Sequence, residues 1–190
     1  MFVLVGEVIA WQADRLRRLR LELARLALHD SLTGLPNRRL LTEALAPALA
    51  RAQRTAEPIG LLFLDLDRFK AVNDQRDHAI GDDLLVTVAQ VLRELTRATD
   101  IPARLAGDEF AVLVERPRGM EPLDVLARRI SDEVARRAAD AGLAVGAGIG
   151  AVTSDGTDTA DELLRRADAA MYTQKRARQE RHRAVESLTA

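Results

Sequence analysis

Hydrophobic positions along this 190-residue chain follow two periods, and the switches between them mark its elements. Over residues 1–28 apolar side chains fall at 2, 5, 9, 16, 19, 23 and 26, with Gln12 as the polar intruder. Alternating steps of three and four make an a/d seam. It predicts one helix, either a dimerising stalk or a helix laid on its own domain. Arg15 and Arg20 would occupy facing flanking positions of a parallel pair and repel. Residues 37–54 read as a second helix, bent or split by Pro47. The unbroken apolar run Ile59–Leu64 predicts a buried strand over 58–66. A helix follows the Gly81-Asp82 break, with Leu84, Leu85, Val88, Val91, Leu92 and Leu95 on one face. A hairpin over 102–115, a helix over 121–140 and a strand from Leu143 to Val152 come next. Thr159 and Glu162 form a capping box that opens a last helix to about 180.

This order predicts an α/β sandwich with a largely antiparallel central sheet, preceded by a helical stalk. The segments are a stalk at 1–28, one folded domain at 29–180 and a tail at 181–190. A chain of this length buries roughly two-thirds of its unfolded surface. The net charge of −1 offers no basic field for nucleic acid or an anionic membrane. The absence of cysteine excludes disulfides, thiolate zinc sites and a thiol nucleophile, and fits a cytoplasmic domain. His29, His78 and His182 are scattered, so no zinc site is expected. The apolar start Met1–Trp11 carries Glu7, is too short to span a bilayer and lacks the marks of a signal peptide. That it ends a longer membrane-anchored or sensor helix stays open.

Candidate chemistry lies where strands end. Asp65 and Asp67 close the run Ile59–Leu64, and Asp108 and Glu109 occupy the tip between Arg104-Leu105 and Phe110–Val114. Carboxylates gathered at neighbouring strand ends repel one another unless a hard cation such as Mg²⁺ joins them, and Mg²⁺ held by few carboxylates points to a nucleotide. Acids after strands are also ordinary turn residues, so it is the pair of clusters that matters. Of 28 basic residues only Lys70 and Lys175 are lysine, which suggests positions needing a compact ammonium rather than a planar fork.

Read in order, Asp30–Arg39 (DSLTGLPNRR), Asp65–Lys70 (DLDRFK), Asn73-Asp74, Gly81-Asp82, Arg104–Phe110 (RLAGDEF) and Ala167–Tyr172 (ADAAMY) resemble the GGDEF domain of diguanylate cyclases over residues 29–178. The resemblance implies a palm-like nucleotidyl-cyclase fold. It implies that a homodimer joins two GTP molecules into cyclic di-GMP, releasing two pyrophosphates. Carried onto this chain, it implies that Asp65, the Leu66 carbonyl, Asp108 and Glu109 hold Mg²⁺, with Mn²⁺ as an alternative. Glu109 would also help deprotonate the 3′-hydroxyl. Lys70 and Lys175 would meet phosphate, Asn73 and Asp82 guanine, and Phe69, Ala106 and Gly107 would line the nucleotide. A carboxylate that accepts from guanine N1–H and the 2-amino group favours GTP over ATP. Asp82 could instead cap a helix. Arg97 and Asp100 match the family's RxxD inhibitory site for cyclic di-GMP, with Arg128 or Arg129 as a further clamp; a surface ion pair is the plainer alternative.

Four positions depart from the family pattern. Ala106 replaces the signature's first glycine, where a methyl could crowd the nucleotide or demand a negative φ. Asp77-His78 replaces Gly-His, Gln179 stands in place of a second phosphate-binding arginine, and Gly146–Gly150 reads GAGIG. The glycines of that last stretch also fit a loose dinucleotide-binding pattern. A loop follows rather than a helix, so close packing of the strand against a helix is the better reading. Two functions are weighed: a product-inhibited diguanylate cyclase, and a catalytically silent domain that binds GTP or cyclic di-GMP and signals through protein contacts.

Overall fold

Strand β1 (Ile59–Asp67) forms the axis of the molecule and separates two hydrophobic layers by simple alternation. The computed structural model describes residues 11, 12, 14, 15 and 27–189. The stalk expected over 1–28 therefore falls almost wholly outside the described residues. Leu62, Leu64 and Leu66 point into one layer, while Ile59, Leu61 and Phe63 point into the other. A strand buried on both faces in this way needs a continuous apolar run, which is what its sequence shows.

The remaining elements are α1 (Arg38–Thr55), α2 (Phe69–Gln75), α3 (His78–Leu95), β2 (Ile101–Ala106), β3 (Glu109–Val114), α4 (Met120–Asp140), β4 (Gly146–Ser154) and α5 (Ala160–Thr189). The strands form one antiparallel sheet in the order β2-β3-β1-β4. Helices α3 and α4 cover the first layer, α1 and α5 the second. The expected α/β sandwich is present.

Local structure differs from the expectation in instructive ways. Helix α1 runs through Pro47 without splitting, and its start is fixed by the Asn37 side chain, which accepts from Leu40 N at 3.1 Å. Gly81-Asp82 is not a break. Helix α3 begins at His78 behind an Asp77 N-cap, so Gly81 and Asp82 lie inside it. The departure Asp77 thus supplies a helix cap. Gly81 is required for packing: a Cβ there would fall on Asn73 Oδ1 and stand 3.1 Å from Asn73 Cγ. Helix α2, absent from the sequence reading, is a short segment between β1 and α3. The Thr159–Glu162 capping box forms as expected, with Glu162 Oε2 accepting from Thr159 N at 2.8 Å. Helix α5 continues past 180 to Thr189.

Candidate active site

The alternation that packs β1 also aims its acids. Asp65 and Asp67 share the parity of Leu61 and Phe63, so both face the α5 side. Asp65 lies directly between Glu109 of β3 and Gly148 of β4 in the sheet register. The β2–β3 turn is only two residues long, Gly107-Asp108, with Gly107 at φ +48° and a register shift between Arg104 and Ala106. Such a bulge re-aims the strand end and brings Asp108 to the same edge as Asp65. Ala106 is exposed at the end of β2 and is not among the residues with positive φ. The left-handed conformation is taken by Gly107, so alanine at 106 costs no backbone strain.

Electrostatics report how closely these acids are gathered. Burial first, then the Asp65 charge, pushes the Asp108 carboxyl above its ordinary range, against its own backbone hydrogen bond, Lys175 and Arg104. Glu109 is raised by burial, and by Asp65, Asp168 and Asp108; Arg38, 3.7 Å away, opposes the shift. All the donors here are hard oxygens, which suits Mg²⁺ or Mn²⁺ and not a thiophilic metal. Among the described residues no three acidic or histidine side chains are assembled into a cation cage. An ammonium stands there instead: Lys175 pairs with Asp65 and, at 3.0 Å, with Asp67.

Other predicted residues distribute around this edge. Lys70 is exposed on α2. Phe69 is buried in the first hydrophobic layer, and Asn73 lies against Gly81, adjacent in sequence to the exposed Asp82. Asn73 Oδ1 is buried without a hydrogen-bond partner. The side chain of Gln179 is outside the described set.

The RxxD pair is split by its surroundings. Arg97 is exposed, whereas Asp100 is buried, with its two oxygens accepting from Arg97 N at 2.9 Å and Glu115 N at 3.1 Å. Both line a cleft of about 520 Å³ together with Arg118 and Arg129. Arg128 lines a different cleft, beside Gly148 and Lys175.

Sequence reasoning missed Arg104 and Asp30 as partners. Arg104 donates to both Asp30 oxygens, at 3.0 and 3.2 Å, and to the Gly107 carbonyl at 3.0 Å. Asp30 also accepts from Thr33 N and Oγ1. Burial would raise the Asp30 carboxyl, but the bonds from Thr33 and Arg104 outweigh it and hold it low. Both residues lie inside quoted motifs; contact across 74 positions leaves no local signal.

The four-stranded antiparallel sheet flanked by helices, with opposed carboxylates at its hairpin edge, makes a palm-like α/β domain. The profile described as "Diguanylate cyclase, GGDEF domain" matches residues 27–181, and the chain belongs to this family. The bifunctional diguanylate cyclase/cyclic di-GMP phosphodiesterase MucR of Pseudomonas aeruginosa is 44% identical over 169 residues, covering 86% of this chain and 24% of MucR. Diguanylate cyclase TpbB of the same species is 40% identical over 177 residues, covering 91% of this chain and 40% of TpbB. This chain therefore spans less than half the length of these two relatives. Among solved structures, the coiled coil and GGDEF domain of DgcB from Caulobacter crescentus, in complex with c-di-GMP, superposes with a TM-score of 0.81 at 29% identity. That match covers 88% of this chain and 91% of the other. Among the described residues no helix is long and apolar enough to cross a membrane.

Proposed function

We propose that this domain condenses two GTP molecules into cyclic di-GMP and two pyrophosphates as a homodimer, with product feedback at Arg97 and Asp100. The observation that carries the reading is the direct opposition of Asp65 and Glu109 across β1 and β3, with Asp108 in the adjoining turn. Kinship with named diguanylate cyclases supports it.

Asp65, the Leu66 carbonyl, Asp108 and Glu109 would hold Mg²⁺ or Mn²⁺. When bound, the ion neutralises charge on the phosphate oxygens during attack and departure. Phe69, Asn73 and Asp82 orient the guanine, with Asp82 accepting from its N–H donors. Ala106 and Gly107 leave room for the nucleotide beside the turn. Lys70 and Lys175 neutralise the terminal phosphates. Glu109, whose carboxyl burial raises above its ordinary range, would accept the 3′-hydroxyl proton. The 3′-oxygen then bonds to the partner nucleotide's α-phosphorus as the bond to pyrophosphate breaks. The heptads of residues 1–28 would bring the two protomers together.

The test is chromatographic analysis of purified protein incubated with GTP and Mg²⁺. Cyclic di-GMP is expected from the wild type and not from Asp108→Ala. No product from a folded dimer freed of bound cyclic di-GMP would reject the cyclase and leave the nucleotide-receptor reading.

A further inference from the structure

The acid cluster at the sheet edge is already neutralised in part by a residue of the chain. Lys175 reaches it from α5 with its side chain only 19% exposed, contacting Asp65 and Asp67. Burial by itself would lower the ammonium's pKa, but the bonds to Asp65 and Asp67 outweigh it and raise it.

The route of its stem is built into the sheet. Helix α5 crosses β4 along the glycines of the GAGIG stretch. At Gly150 a Cβ would overlap Met171 N and Ala167 O and stand 2.7 Å from Met171 Cα, so the helix backbone itself rests there. One helical turn on, Lys175 passes over Gly148, the residue facing Asp65 in the register. A Cβ on Gly148 would fall on Lys175 Cε and lie 2.6 Å from Cγ. Only glycine leaves the groove open, and Lys175 fills it. Lys70, by contrast, has no ion pair among the described residues.

We propose that Lys175 is a resident counter-cation that disfavours divalent metal at Asp65 until a nucleotide's terminal phosphates draw its ammonium away. Metal and nucleotide would then bind as a coupled pair. The physical reason is charge: a divalent ion entering beside a fixed ammonium is repelled, whereas phosphate oxygens accept the ammonium and free the carboxylates. The coupling rests on the nucleotide-binding reading above; the metal comparison does not require turnover.

The experiment titrates Mn²⁺ alone into the full chain by calorimetry, for wild type, Lys175→Met and Gly148→Ala. It then repeats the wild type and Lys175→Met with a non-cleavable GTP analogue present. Nucleotide-free Mn²⁺ affinity is expected to rise about tenfold or more in both variants, because one removes the ammonium and the other displaces its stem. In the wild type, the analogue should tighten Mn²⁺ binding by at least a comparable factor, and by clearly less in Lys175→Met. Gly148→Ala decides the first arm if Lys175→Met does not fold. Nucleotide-free affinities equal to the wild type in the folded variants would overturn the proposal. So would wild-type Mn²⁺ binding that the bound analogue leaves unchanged. A wild type that makes no cyclic di-GMP but shows the expected Mn²⁺ pattern would remove the cyclase reading alone.

Discussion

Arg104 and Asp30 join two segments far apart in sequence through two hydrogen bonds from one guanidinium nitrogen, at 3.0 and 3.2 Å. The same guanidinium holds the Gly107 carbonyl, and the Arg104 backbone N–H donates to Pro36 O at 2.9 Å. Asn37, next along, accepts at the start of α1 and donates to Leu28 O at 2.9 Å and Ala27 O at 3.0 Å. The entry segment and the Gly107-Asp108 turn are thereby tied through one residue. Arg104→Lys should keep a charge near Asp30 but lose the fork that also grips Gly107. Turnover should fall by about tenfold or more, with KM nearly unchanged. The loss of stability should stay near 1 kcal/mol, since the pair is partly solvated. Steady-state kinetics and denaturant unfolding separate the two effects; unchanged kcat would remove the positioning role.

Asp108 and Glu109 set a pH dependence of known sign. Their carboxyls are raised by burial and by neighbouring acids, so the folded protein binds these protons more tightly than the unfolded chain does. That contribution to stability is present below the unfolded pKa and is lost as pH rises through the folded one. At neutral pH the metal-free fold therefore carries repulsion that it would lose with the charge. Asp108→Asn should abolish turnover yet raise the metal-free melting temperature by ~1–2 °C. Calorimetry in chelator at pH 7 checks this; a lower melting temperature would contradict the sign.

Gly81 tests the guanine end of the site. Its substitution by alanine places a methyl on Asn73 Oδ1, a polar atom already buried without a partner. The Asn73 side chain must move, and a shift costing about 1.4 kcal/mol of binding would weaken GTP about tenfold. Helix α3 should persist, because alanine suits helices better than glycine. Equilibrium binding of a GTP analogue together with circular dichroism makes the comparison. Wild-type affinity would exclude Asn73 from nucleotide recognition.

Arg97 and Asp100 should give different phenotypes despite forming one motif. Arg97→Ala removes an exposed cation and should leave stability unchanged while abolishing inhibition by added cyclic di-GMP. Asp100→Ala leaves two backbone N–H groups, those of Arg97 and Glu115, without an acceptor. It should cost about 1–3 kcal/mol. Product-inhibition curves and urea unfolding of the two variants distinguish binding from folding. Undiminished inhibition in Arg97→Ala would exclude this residue from the feedback site.

The sequence by itself determined the α/β sandwich and the placing of acids at the strand ends. Burial of β1 on both faces demands the apolar run Ile59–Leu64, and the capping box at Thr159 and Glu162 is a local hydrogen-bond pattern. The motif acids fall at strand ends because a two-residue turn and a strand terminus are visible in one dimension. What sequence reading took as a helix break at Gly81-Asp82 was decided by tertiary contact: Gly81 is glycine because Asn73 lies against it. The GAGIG glycines do let the strand pack closely against a helix, as their sequence suggested, but only the fold shows that the missing side chain of Gly148 admits Lys175 to the acids. Arg104 meeting Asp30, and Lys175 meeting Asp65 across 110 positions, depend on which strands pair and which helix crosses them. Local periodicity fixes where a side chain points from its own element. Only the assembled sheet fixes what it meets there.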